Sequence, residues 1–227
     1  MNILFLTLYP ISNISERGIY TDLMREFNRH GHKIHIVIPA ERRFHLATGI
    51  KESEGVNILR VRTLNIQKTN LIEKGLGTLL LEYQYQRAIY KYWKDIKFDL
   101  ILYSTPPITF NRVVASVKKC CGAKTYLLLK DIFPQNAVDL GMFSKSSFIY
   151  KLFRKKEERL YRLSDYIGCM SPANVEYILR HNSLMTAEKV EVCPNSIELD
   201  EEESNYDNDH LLQKLNIPTD KLLFIYG

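Results

Sequence analysis

Short, nearly continuous apolar runs alternate with stretches of helical periodicity from the first residue onward, and this alternation constrains the fold more than any other feature. The runs are Ile3–Leu8, Lys33–Ile38, Asn57–Arg62, Asp99–Tyr103, Lys124–Leu129, Tyr166–Met170 and Val190–Cys193. Between them, residues 19–30 place Ile19, Leu23 and Phe27 at a four-residue spacing, and Gly31 stands where a helix would stop. Residues 75–96, 108–120 and 146–163 read as further helices, and Ser171-Pro172 opens another with a good cap and a first-turn proline. Strands whose two faces are both covered read as apolar runs without alternation. The expectation is therefore an α/β protein: a Rossmann-like parallel sheet with helices on both faces.

In such a sheet ligands gather beyond the carboxyl ends of the strands. The loops that matter are then 9–18, 39–56, 104–107, 130–137 and 194–197. The composition, 45% hydrophobic and 25% charged, excludes wholesale disorder and collagen-like repeats. No apolar run reaches the ~18 residues of a membrane span. MNILFLTLYP lacks a basic leader and a cleavage site, so it reads as a first strand. The four cysteines show no CxxC spacing; they read as buried reduced thiols in a reducing compartment, not as a disulfide framework or a zinc ribbon.

The net charge of +5 conceals an asymmetry. Residues 198–227 carry eight acidic side chains against two lysines, while the preceding 197 residues carry 29 basic against 18 acidic. The basic body suggests anionic partners. No nucleic-acid motif is present and the basic residues are dispersed, which argues against nucleic acid. Residues 1–198 are expected to form one Rossmann-like domain. Residues 199–209 resemble an acidic linker, 210–217 a short helix and 221–227 a strand, so 199–227 reads as the beginning of a second, truncated domain.

GxGxxG, GxxxxGK[ST], HExxH, GxSxG and EF-hand loops are absent. His30, His32 and His35 lie close in sequence, but His30 and His32 flank Gly31 at a turn; a solvated turn and a strand histidine account for them better than a metal site.

Read together, the loops resemble a family. Glu16-Arg17-Gly18-Ile19-Tyr20 followed by RHGHKIHIVIP at 29–39 is similar to the opening of GT4-type (group 1) retaining glycosyltransferases of the GT-B fold. FDLILYSTPP at 98–107, LLLKDIFPQNAVDLGM at 127–142, SDYIGCMSPANVEYI at 164–178 and KVEVCPNSIEL at 189–199 resemble later segments of that family, the second of them as in L-fucosamine transferase-like enzymes of capsule and O-antigen assembly.

The resemblance implies the N-terminal, acceptor-side half of a two-domain enzyme. That enzyme would transfer sugar from a nucleotide-sugar donor to a glycan or lipid-linked acceptor, with no cofactor or metal, at the cytoplasmic face of the plasma membrane. The paired glutamates that bind the donor would lie downstream, and this part alone would be inactive. Asp131 and Lys130 become the catalytic candidates, although many members carry His at the position of Lys130. Arg17, Gly18, Thr105 and Asn195 become substrate-binding candidates. Gly18 is expected to offer close backbone approach and free N–H groups at a helix start, and Ser196 stands where the family usually has glycine. Lys151, Arg154, Lys155 and Arg159 are candidates for an anionic membrane surface, and Tyr83, Tyr85, Tyr90, Tyr92 and Trp93 are either interfacial aromatics or core. Two alternatives stay open: an epimerase-like sugar enzyme of related fold, and a binding module without chemistry.

Overall fold

The computed structural model describes residues 1–66, 68–69, 71–199, 213–215 and 217–218. The chain divides into a unit spanning Met1–Ile197 and a second spanning Glu198–Gly227. The expected linker at 199–209, helix at 210–217 and strand at 221–227 lie outside the described residues but for isolated positions.

The first unit is built on one eight-stranded sheet: β1 (Asn2–Leu6), β2 (Lys33–Glu41), β3 (Gly49–Ser53), β4 (Val56–Thr63), β5 (Leu100–Ser104), β6 (Lys124–Leu129), β7 (Tyr166–Cys169) and β8 (Val190–Val192). The spatial order is β3-β4-β2-β1-β5-β6-β7-β8. Every pairing is parallel except β3 with β4. The seven strands expected within residues 1–198 are all present; the central ones are apolar runs buried on both sides, whereas the edge strand β8 is largely exposed. β3 was not expected: residues 39–56 read as a loop. Gly49–Ser53 is a polar edge strand, mostly exposed, and carries no apolar signal.

Six helices connect the strands: α1 (Ile19–Arg29), α2 (Leu71–Trp93), α3 (Asn111–Cys121), α4 (Gln135–Asp139), α5 (Phe148–Leu163) and α6 (Pro172–His181). Local chemistry sets their ends. Gly31 and Gly122 take positive φ (76° and 69°) just past α1 and at the end of α3, a conformation that costs glycine nothing. Ser147 and Ser171 cap α5 and α6 by accepting from Tyr150 N and Asn174 N. Short α4 was not expected either.

Alternate residues of the central strands feed two cores. One joins Leu4, Leu6, Ile101, Tyr103, Leu127 and Leu129 to α2, α3, α5 and α6. The other joins Ile3, Phe5, Ile36, Ile58 and Leu102 to Ile11, Ile14 and α1. Helices thus cover both faces, but unequally. On α1 the buried positions are Tyr20, Thr21, Asp22 and Met24, with Ile19, Leu23 and Phe27 packed at their flanks. The expected stripe therefore lies one residue off the true inward face. Tyr85 and Trp93 are core, Tyr92 is half-buried, and Tyr83 and Tyr90 are exposed.

The histidines follow the turn-and-strand expectation. His35 is buried edge-on to Trp93 and Phe98, with ring centroids 5.1 and 5.4 Å away. Of the cysteines, Cys169 is buried, Cys121 and Cys193 are half-buried, and Cys120 is exposed; all four are free. The expectation of buried thiols fails at Cys120, which sits on the outer side near the end of α3.

Candidate functional site

The chain leaves β1 toward β2 and β4, then crosses back through α2 to place β5 on the other side of β1. β1 and β5 therefore flank a topological switch point, and their carboxyl-end loops diverge to leave a crevice. Thr7, the first residue past β1, organises this point. Its carbonyl accepts from the buried Tyr85 hydroxyl at 2.9 Å, and its Oγ1 accepts from Tyr9 N at 3.0 Å and from Ser104 Oγ at 3.4 Å.

The rest of the β1–α1 loop is fixed from two sides. Arg25 Nη1 donates to the carbonyls of Ile14 (2.6 Å) and Glu16 (3.1 Å), while Nη2 pairs with Asp22 at 2.7 Å. β3 grips the other side: Ser53 Oγ accepts from Ile14 N and donates to Asn13 Oδ1, and Lys51 donates to Ser12 O. The strand that carries no apolar signal is thus what holds the loop in place.

A second brace joins β5 to β6. Thr105 is 1% exposed. Its hydroxyl accepts from Lys130 N at 3.0 Å and from Asp131 N at 3.4 Å, and lies 3.4 Å from Asp131 O. Expected to touch substrate, Thr105 instead positions the two candidate catalytic residues; burial and these bonds leave it no surface to offer. Asp131 is exposed and Lys130 half-buried. Burial lowers the Lys130 ammonium from its usual range, with Cys193 acting the other way. Burial raises the Tyr20 hydroxyl; interaction with Ser104 opposes the rise and the Asp131 charge adds to it.

The Thr105 bonds join the exits of β5 and β6; Tyr20 on α1 feels Ser104, the last residue of β5, and the Asp131 charge, and Lys130 feels Cys193 past β8. Tyr9, half-exposed, stands edge-on to Tyr20 with centroids 5.9 Å apart and forms an aromatic wall. A cation, a carboxylate and two phenols at one rim can hold an anionic group and orient a hydroxyl.

The remaining candidates divide. Gly18 lies two residues before Tyr20, at the start of α1. Its N–H is not free, because it donates to Asp22 Oδ1 at 3.0 Å; the expectation of an open donor fails there. Arg17 is exposed on the same loop. Asn195 is exposed two residues beyond Cys193, whose own N–H donates to Cys169 O at 2.7 Å.

On α5, Lys151, Lys155 and Arg159 are exposed, but Arg154 is not a surface cation. Arg154 pairs with Glu157, which is 2% exposed, and donates to His181 O and Asn182 Oδ1 at 2.7 Å each. It ties α5 to the end of α6. Tyr9, Tyr20 and Ser104 are not among the candidates the sequence offers; Tyr20 appears there only as part of the segment that opens α1. Among the described residues no group of three or more His, Cys, Asp or Glu side chains could hold a metal ion, and no helix is long and apolar enough to cross a membrane.

Residues 19–201 match the family model described as Glycosyltransferase Family 4. A probable glycosyltransferase, WbjE, of Pseudomonas aeruginosa is 26% identical over 98 residues, covering 43% of this chain and 24% of that protein. An apo structure of OtsA superposes with a TM-score of 0.59 at 10% identity, over 87% of this chain and 50% of that one. A trehalose-6-phosphate structure from E. coli bound with UDP-2-fluoro glucose gives 0.58 at 10% identity, over 86% and 49%. At such identity these structures show the shared α/β fold alone. The chain spans about a quarter of the curated relative it matches and about half of each of these solved chains.

Proposed function

The chain belongs to Glycosyltransferase Family 4, and from that premise we propose that it supplies the acceptor-side wall of an enzyme moving sugar from a nucleotide-sugar donor to a lipid-linked glycan acceptor in surface-polysaccharide assembly. The observation that carries this reading is the Thr105 brace. It fastens the backbone of Lys130 and Asp131 to the end of β5, and the Asp131 charge is felt at Tyr20; in this reading the carboxylate meets an incoming hydroxyl and the partly desolvated ammonium meets an anion. The name of the P. aeruginosa relative and the nucleotide sugar in the E. coli structure support the same chemistry.

In the proposed reaction the bond from the anomeric carbon to the diphosphate oxygen breaks, and a bond from that carbon to the acceptor oxygen forms with retention of configuration. The transition state is oxocarbenium-like, so positive charge at the ring and negative charge on the leaving group both need fixed partners. Asp131 accepts the hydrogen bond of the acceptor hydroxyl and can take its proton. Lys130 holds an anionic group of substrate, which a neutral imidazole at that position would not. Arg17, the start of α1 at Gly18, and Asn195 line the approach. The nucleotide sugar is a substrate, and the scheme calls for no resident metal or cofactor. Most donor contacts come from a second lobe, so residues 1–227 alone transfer no sugar. The site of action is the inner face of the plasma membrane.

The test is turnover by the full-length protein with a panel of nucleotide sugars and a lipid extract as acceptor. Release of nucleoside diphosphate that requires both substrates is expected. Isomerisation of the donor without an acceptor would overturn the reading in favour of an epimerase, and no turnover with any donor would overturn it outright.

A further inference from the structure

The segment from Leu140 to Lys156 leads from α4 into α5, contains Lys145, Lys151, Arg154, Lys155 and Lys156, and has no acidic residue. It also exposes large apolar side chains: Phe148 is 80% exposed, Leu140 76% and Met142 70%, with Ile149 and Leu152 near half. These side chains are not the helix's inward face. That face is set by Phe153, whose ring lies 5.0 Å from that of Phe133, and by buried Leu160 and Tyr161. Arg154 is likewise turned inward onto Glu157.

What remains outward follows helical spacing. Phe148, Lys151, Leu152, Lys155 and Arg159 recur at intervals of three and four and share one face, apolar at the start of the helix and basic further along. An apolar tip flanked by lysines is the pattern of a surface that dips into a lipid interface.

We propose that this face docks the protein on an anionic bilayer, with Phe148, Ile149 and Leu152 entering the interface and Lys145, Lys151 and Lys155 meeting lipid phosphates. Charge complementarity favours that occupant over a second copy of the chain. A two-fold dimer through this face would set its lysines against their own equivalents with no carboxylate in the segment to offset them. Position favours it too. The segment follows the Lys130–Asp131 loop through α4 alone, so it lies at the carboxyl end of the sheet, where the crevice opens. The proposal rests on the lipid-linked acceptor reading above and supplies its geometry: the crevice mouth would face the plane in which such an acceptor sits.

The experiment is co-sedimentation of the 227-residue chain with vesicles of phosphatidylcholine alone or mixed equally with phosphatidylglycerol, at low and high salt. No sugar donor is present, so the outcome is separate from that of the turnover test. Binding to the mixed vesicles only, lost at high salt, is expected. Lys151→Gln and Lys155→Gln should each weaken it about fivefold, and Phe148→Ser with Leu152→Ser should abolish it. Lys33→Gln, on an exposed lysine at the other end of the sheet, should leave it unchanged. If the serine variant unfolds by circular dichroism, the lysine variants carry the decision. Equal binding by the lysine variants, no binding by the wild type, or a concentration-dependent dimer that these same changes dissociate would overturn the proposal.

Discussion

Replacing Thr105 by valine removes one hydroxyl while keeping the shape of the side chain. The Thr105 backbone bond to Leu128 O, at 3.1 Å, is untouched. Two amides lose their shared acceptor: Lys130 N at 3.0 Å, a full hydrogen bond, and Asp131 N at 3.4 Å, a marginal one. A buried donor left unpaired costs about 1–3 kcal/mol. With one good bond and one poor one in a half-buried loop, the loss should be about 1–2 kcal/mol, or a fall in Tm of roughly 3–6 °C for a unit of this size.

The larger effect should be on turnover. Freed of the brace, Lys130 and Asp131 shift relative to Tyr20, and a displacement near 1 Å can cost ~100-fold in rate. Thr105→Ser keeps the hydroxyl and should retain nearly normal turnover, at about 1 kcal/mol of stability for the lost methyl group. Thermal melts and initial rates on the three proteins decide the matter. If Thr105→Val transfers sugar as fast as the wild type, or if the serine variant is as impaired as the valine, the bracing role is wrong.

Arg154→Ala should destabilise the protein by about 2–4 kcal/mol in urea unfolding, because it strands the buried Glu157 carboxylate and two acceptors on the end of α6. Lys155→Ala, one residue along and exposed, should stay within about 0.5 kcal/mol; equal effects would contradict the assignment. His35 gives a pH dependence. Burial holds its folded-state pKa below the usual value, so its neutral form is favoured in the fold. Its stabilising effect is complete above the unfolded value of ~6.5, and is lost as pH falls below that value toward the lowered folded one, at up to about 1.4 kcal/mol per pH unit. Melts of His35→Phe should show a shallower loss between about pH 7 and pH 5, and parallel curves would refute the coupling.

Much of the fold was legible because burial on two sides writes itself into consecutive residues. Ile3 to Leu6 and Leu127 to Leu129 are apolar without a break, and Gly31 and Gly122 mark helix ends that need positive φ. β3 was illegible for the opposite reason: an edge strand with solvent on one side needs no apolar pattern, yet its Ser53 and Lys51 secure the crevice loop. Asp131 could be singled out from its place after a strand, and Lys130 only from the family resemblance. That Thr105 serves them, and does not face a ligand, required knowing which carboxyl ends are neighbours. Arg154 reads in the sequence as one of several surface cations on a basic helix; only the packing of α6 against α5 shows that it is paired with the buried Glu157. Gly18 offered a helix start in sequence; Asp22, one turn on, had already claimed its N–H.

The most direct measurement on the role of Asp131 is the transfer rate of full-length Asp131→Asn beside the wild type, each first shown to be folded by its thermal melt. A carboxylate that meets the acceptor hydroxyl gives a fall of ~100-fold or more in kcat at nearly unchanged stability. Turnover within a few-fold of the wild type would place the chemistry elsewhere and remove the crevice from the active site.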